Sequence, residues 1–169
     1  MAEKFLTLMA DLDEGSQQRM SEWYAELRKA GFAGTQTPGL PYHVSLSTFS
    51  LDQEETAVQT ARKAAAEFAP VPVQISHIGL FAGGRTLFAA PEKDAKLTGL
   101  HEACRSDTPQ QYPWTPHVTL LIDEPGIVCS AVPVFVNLFV PFTGMISRLH
   151  LCAFWPAREI AAFGLTGGR

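Results

Sequence analysis

Apolar residues recur along the chain at two periods, and the switching between them predicts its elements. Residues 5–12 (FLTLMADL) are apolar enough for an interior strand. The period then lengthens: Met20, Trp23, Tyr24 and Leu27 fall on one helical stripe, with Asp13 or Ser16 placed to cap its start and Gly31 suited to its end. Residues 32–41 (FAGTQTPGLP), rich in Gly and Pro, read as a loop that either contacts a ligand or merely connects. Alternation returns over residues 43–51. Asp52 with Glu55 then forms an acidic capping-box variant for a helix reaching Phe68, with Ala57, Val58, Ala61 and Ala65 on its apolar side.

Residues 71–81 and 86–90 predict a hairpin through Ala82-Gly83-Gly84-Arg85. A helix after Pro91 carries Leu97, Leu100, His101 and Cys104 inward, and residues 107–116 (DTPQQYPWTP) form a second long loop. Residues 127–139 are apolar almost throughout, so period alone does not separate helix from strand. A helix is favoured because both halves then read strand, helix, motif strand, helix. Residues 147–155 and 159–165 read as closing strands, the last at an edge.

One short pattern occurs twice on these strands: Tyr42-His43-Val44-Ser45-Leu46 and Pro116-His117-Val118-Thr119-Leu120. His and Ser/Thr two residues apart on a strand share a face, while Val and Leu take the other. Two facing copies therefore offer two imidazoles and two hydroxyls around one small anion. An unperturbed imidazole titrates near neutral pH, so one His43/His117 partner can act as base and the other as acid. An in-line displacement at phosphorus needs those roles on opposite sides. The Ser45 and Thr119 hydroxyls can donate to the non-bridging oxygens as charge grows there.

The duplicated motif resembles that of the two-histidine (2H) phosphoesterases, the superfamily that includes the bacterial 2'-5' RNA ligase-like proteins. The similarity extends through residues 81–91 (FAGGRTLFAAP), Leu100-His101, residues 112–120 (YPWTPHVTL) and residues 151–163 (LCAFWPAREIAAF). It implies an α+β, two-lobed, pseudo-symmetric fold in which antiparallel-rich sheets line a central cleft and helices pack outside. Residues 1–169 would form one domain, each lobe contributing one motif, with the same roles for His43, Ser45, His117 and Thr119. The chain departs from the RNA 2',3'-cyclic phosphodiesterase branch, where an aromatic-Leu-Gly run follows the first motif and an arginine the second. Here Ser47-Thr48-Phe49-Ser50 and Leu121-Ile122 stand in those places. The chemistry is unaffected by that departure, but a substrate taken from that branch is not carried over.

Composition narrows the substrate. The net charge is −4 and no basic stripe is visible, which excludes a grip on long nucleic acid and leaves a small nucleotide or an RNA end. No apolar run reaches the ~18 residues of a membrane span. Met1-Ala2-Glu3-Lys4 does not open a signal peptide, and Cys104, Cys129 and Cys152 are odd in number without a CxxC pair. A cytoplasmic monomer with reduced thiols is expected. No metal-ligand motif is present, so neither metal nor cofactor is expected.

Around the motifs, Tyr42, Phe49, Tyr112 and Trp114 are the aromatic candidates for stacking on a base, Tyr42 and Trp114 foremost. Arg85 and Arg158 are candidates to steer phosphate. Of the remaining histidines, His77 and His101 read as structural or surface residues, and His150 is the one that sheet neighbours could aim into the cleft. The expected activity is metal-independent hydrolysis of a 2',3'-cyclic phosphate, a 2'-5' linkage or a related cyclic phosphoester. Its rivals are reversible 2'-5' RNA ligation and a catalytically idle nucleotide- or phosphometabolite-binding protein.

Overall fold

The computed structural model describes residues 3–35, 37, 39–110 and 112–168. Strands β1 (Phe5–Leu12), β2 (His43–Phe49), β3 (Val71–Leu80), β4 (Thr86–Pro91), β5 (Val118–Ile122), β6 (Phe142–Phe154) and β7 (Arg158–Gly164) alternate with helices α1 (Glu14–Lys29), α2 (Glu54–Glu67), α3 (Ala95–Ala103) and α4 (Pro125–Leu138). All the strand pairs are antiparallel, in the order β2-β1-β6-β3-β4-β5, with β7 also on β6.

The long strand β6 makes this a two-lobed α+β fold. Its first residues, 142–146, pair with β3, and its later residues pair with β1 on one side and β7 on the other. One lobe is thus β2-β1-β6-β7 and the other β5-β4-β3-β6, with a motif strand at the outer edge of each. The sheet curls so that β2 and β5 come back into contact.

Both faces of the central strands are covered, which is why β1 reads as apolar throughout. Leu6, Leu8, Ala10 and Leu12 join the main core beneath the helices, as do Leu149, Leu151 and Ala153 of β6. On the opposite face Met9, Cys152 and Phe154 form a smaller cluster with Phe5 and Leu40. In the main core, Trp23 of α1 meets Phe135 and Phe139 of α4 with ring centroids 5.3 and 5.2 Å apart.

Both motif strands carry a bulge at the same place. Met9 pairs with Ser45 but Leu8 with Ser47, so Leu46 is the extra residue; Phe88 pairs with Thr119 but Leu87 with Leu121, so Leu120 is. A bulge reverses the alternation beyond it. His43 and Ser45 keep one face, while Phe49, four residues after Ser45, ends in the core at 1% exposure. That removes Phe49 as a stacking candidate.

Several boundaries differ from the periodicity. The cap of the second helix lies earlier than Asp52: Ser50 and Gln53 make a reciprocal capping box over a 3₁₀ turn, Leu51–Gln53. β6 begins at Phe142, not 147, because pairing with β3 extends it past the amphipathic stretch. The expected helix within residues 127–139 is α4, which ends at Leu138 and continues through Pro133.

An edge strand leaves backbone groups unpaired unless something covers it. The loop before each motif covers the other. Trp114 Nε1 donates to Ser45 O at 2.9 Å and Ser106 Oγ to Thr48 O at 2.6 Å, while His101 Nδ1 of α3 bonds Leu46 O at 2.9 Å. In return Thr35 N donates to Ile122 O at 2.8 Å. Gly34 makes that approach possible. Its φ is +58°, and a Cβ there would lie 2.5 Å from Leu121 Cδ1 and 2.8 Å from Ile122 O. Gly34→Ala is therefore expected to destabilise the fold by at least about 1 kcal/mol, the left-handed penalty alone. A lower denaturant midpoint with unchanged slope checks this; an unchanged midpoint would show that the loop is not held against β5.

Candidate active site

The two motifs orient their histidines identically. His43 Nδ1 lies 2.8 Å from Pro41 O, and His117 Nδ1 lies 2.8 Å from Thr115 O, each the carbonyl two residues upstream. A carbonyl only accepts, so Nδ1 carries hydrogen in both rings and Nε2 is left to take or give a proton. The approach to the first motif is fixed by Gln17 of α1, whose side-chain amide accepts from Tyr42 N at 2.8 Å and donates to Tyr42 O at 2.7 Å.

His43, Ser45 and Thr119 line one cavity together with Thr7, Met9, Tyr42 and Trp155. Thr35, Thr37, Leu40 and Pro41 also reach it, so the loop before the first motif does contact the cavity; Gln36 and Pro38 lie outside the described residues. His117 lines a neighbouring cavity, and Ser45 is the residue the two share among those described. Phe81 stands edge-on to the His117 ring with centroids 4.6 Å apart, and Phe88 lies at 5.4 Å.

Burial holds both imidazoles below their ordinary value of 6.5. For His43 the bond to Pro41 and the Asp11 charge oppose this, whereas His117 and His150 add to it by like-charge repulsion. For His117 only the bond to Thr115 opposes burial.

Asp11 pairs with His43 across β1 and β2 and with Arg148 across β1 and β6. Its carboxylate is 3% exposed, and Oδ2 takes Arg148 Nη2 at 2.7 Å, Arg148 Nε at 2.9 Å and His150 Nδ1 at 3.4 Å. The last separation is an ion-pair distance without hydrogen-bond alignment, since His150 Nδ1 and Asp11 Oδ1 have no hydrogen-bond partner among the described residues. Sequence reasoning passed over Asp11, although a lone carboxylate in an otherwise apolar strand was the available signal.

The expected substrate contacts divide. Tyr42 lines the first cavity, with its phenol beside Ser21 and Tyr24 and pushed up mainly by burial. Trp114 lines the second, but its ring stacks on His101 at 3.9 Å and 1°, Lys93 Nζ lies over it at 5.4 Å, and its N–H is committed to Ser45. It holds the motifs together and is not a free platform. Arg85 is not brought to either cavity: Nη2 donates to both Glu124 carboxylate oxygens at 2.9 Å. Arg158 is likewise held by Glu3 and Glu54.

His150 lies on the expected face but is 3% exposed, beneath the cavity, against Asp11, Cys152 Sγ at 3.3 Å and Glu159 at 3.1 Å. Asp11 first and then Cys152 push it up to about 10, against burial. It is buried against Asp11 and does not line the cavity, which corrects the expectation of a substrate contact. His77 is exposed beside Glu92, and His101 serves the β2 edge. Among the described residues no group of three His, Cys, Asp or Glu side chains could hold a metal ion, and no helix is long and apolar enough to cross a membrane.

A family model described as the 2'-5' RNA ligase superfamily matches residues 16–153. In structure the chain is similar to E. coli LigT in its apo form (18% identity, TM-score 0.67, covering 98% of this chain and 99% of that one). It is similar to TT0787 of Thermus thermophilus (17%, 0.65, 98% and 100%) and to Kluyveromyces marxianus Usb1 (14%, 0.53, 97% and 98%). LigT has also been crystallised with 3'-AMP and with phosphate. No curated protein matches the chain in sequence.

The His150 shift has a sign that stability measurements read. A group raised in the folded state contributes stability that is full below its unfolded value of 6.5 and is lost as pH rises through about 10. Wild-type protein is expected to lose stability across that window, while His150→Gln starts lower and stays flat there. Parallel denaturant midpoints for the two proteins would refute the assignment.

Proposed function

Because the chain belongs to the 2'-5' RNA ligase superfamily of 2H phosphoesterases, we propose that it is a metal-independent phosphodiesterase acting on a small nucleotide or RNA-end substrate. The observation that carries this reading is the matched pair of histidines. His43 opens the bulged edge strand β2 and His117 immediately precedes the bulged β5; each has Nδ1 tied to the carbonyl two residues upstream, with no Nε2 hydrogen bond among the described residues. One neutral imidazole takes the proton of the attacking water or ribose hydroxyl. The other, protonated, gives a proton to the alkoxide that leaves as the new bond to phosphorus forms. Ser45 and Thr119 donate to the non-bridging oxygens. The pocket chemistry supports a compact, singly charged substrate, since no Lys or Arg is among the described residues lining either cavity. Crystallisation of the structurally similar LigT with 3'-AMP supports a ligand of nucleotide size.

His43→Ala and His117→Ala are each expected to lower kcat by about 10²–10⁴-fold on a panel of 2',3'-cyclic phosphates and 2'-5' dinucleotides. The double variant should lose less than the product of the two losses, because the residues act as a unit. A folded His43→Ala protein that keeps most of its activity would overturn the assignment. His77→Ala should remain near wild type.

The pH profile follows from burial. The free enzyme needs one histidine neutral and one charged, and both lie below 6.5. Raising pH through that region strips the acid, and lowering it protonates the base. The kcat/KM profile is therefore expected to be a bell with its maximum on the acid side of 6.5. A plateau extending above neutrality would contradict this.

A further inference from the structure

Each motif histidine owes its orientation to one peptide unit, and the two units are held by different means. His43 Nδ1 bonds Pro41 O and His117 Nδ1 bonds Thr115 O, both at 2.8 Å. A trans peptide unit is planar, so the Pro41 carbonyl and the Tyr42 amide turn together. The Thr115 carbonyl is coupled in the same way to Pro116. There the proline ring fixes the backbone and leaves no N–H to satisfy. Tyr42 has no such ring, and its N–H needs a partner. Gln17, in the first turn of α1, provides it. Its Oε1 accepts from Tyr42 N at 2.8 Å, while Nε2 donates to Tyr42 O at 2.7 Å and to Leu12 O at 3.1 Å. Only this orientation of the amide serves all three groups. The helix turn beneath it is anchored in turn. Gln17 N donates to Asp13 O at 2.9 Å. Asp13 N donates to Met145 O of β6 at 2.8 Å, and Asp13 Oδ1 accepts from Met145 N at 3.1 Å.

Resting on the acid–base reading above, we propose that Gln17 is a positioning residue for His43. It holds the Pro41–Tyr42 peptide plane so that Pro41 O receives the Nδ1 hydrogen and Nε2 stays available to the reacting oxygen. Gln17 lines neither cavity, so it acts through His43 and not on the substrate. Without its amide, Tyr42 N–H loses its partner, the plane is free to rotate, and Pro41 O leaves Nδ1. His43 then populates the tautomer with hydrogen on Nε2, which cannot accept a proton there. The same hold serves His43 as an acid, because a ring that gives up its Nε2 proton is left with hydrogen on Nδ1. His117 is independent of Gln17, since the ring of Pro116 fixes its peptide unit. The two motifs thus reach one geometry by two devices, a proline ring and a glutamine amide.

The test reads tautomer and turnover separately. Nitrogen NMR of the isotope-labelled full chain, at a pH where both rings are neutral, reports which ring nitrogen carries hydrogen. Wild type is expected to show it on Nδ1 of both His43 and His117. Gln17→Leu should lose that preference at His43 alone. On the panel of 2',3'-cyclic phosphates and 2'-5' dinucleotides its kcat should fall about 10- to 100-fold, the scale of a small misplacement of a reacting group. KM should change by less than about twofold, because the hydroxyls that hold the phosphate are untouched. Tyr24→Phe is the control: it removes the 2.6 Å bond to Ala33 O, which holds the same loop at its far end, and should move neither readout. If Gln17→Leu does not fold, Gln17→Met, unbranched and of similar length, replaces it. Wild-type His43 with hydrogen on Nε2, an unaltered tautomer in the Gln17 variant, or a shifted tautomer with unchanged kcat would overturn the proposal. So would an equal shift at His117, a loss confined to KM, or the same losses in Tyr24→Phe. If wild type turns over no member of the panel, the acid–base reading fails. The tautomer comparison then decides by itself whether Gln17 positions His43.

Discussion

The structure depends on how the two edges of one curled sheet are hydrogen-bonded. The motif strands β2 and β5 are its outermost members, and an outermost strand must find partners for a whole row of amide and carbonyl groups. Each lobe answers for the other. The stretch before the second motif supplies Trp114 and Ser106 to β2, and the stretch before the first supplies Thr35 to β5. The bonds that satisfy the edges are therefore also the bonds that set one motif against the other. β6, running through both lobes, gives this reciprocal clamp a common backbone.

The same arrangement explains the state of the histidines. A strand edge folded against another lobe is shielded from water, and shielding disfavours the charged imidazole. Both motif histidines are held below 6.5 for that reason. Nearby, the opposite holds. Asp11 buries a negative charge under the first cavity, with Arg148 and His150 against it, and it is the chief cause that pushes the His150 imidazole up. Two histidines on the same face are thus shifted in opposite directions, His43 down chiefly by burial and His150 up chiefly by Asp11. A buried charge group of this kind costs desolvation, and its retention beside His43 fits a role in biasing that ring's proton.

The proposed function draws on the pairing of these features with cavities that no Lys or Arg lines among the described residues. Hydroxyls and imidazoles, without Lys or Arg, can neutralise one developing negative charge but not a polyphosphate. This agrees with the acidic net charge of −4 and with a substrate smaller than a long nucleic acid.

Outside residues 127–139, where period left helix and strand unseparated, the sequence by itself determined the order of strands and helices, because hydrophobic period reports which side of an element is buried. It also determined the shared face of His43 with Ser45 and of His117 with Thr119, because residues two apart on a strand share a side whatever surrounds them. The family, too, was legible in the doubled motif. Tertiary structure alone decided what depends on partners distant in the chain. The bulges at Leu46 and Leu120 follow from pairing with β1 and β4, and they send Phe49 into the core. Trp114 became a clamp because Ser45 O lies within its reach, and Arg85 was held away from the cavities by Glu124. His150 and Asp11 met because β1 and β6 are neighbours, and no local pattern encodes which strands will lie side by side.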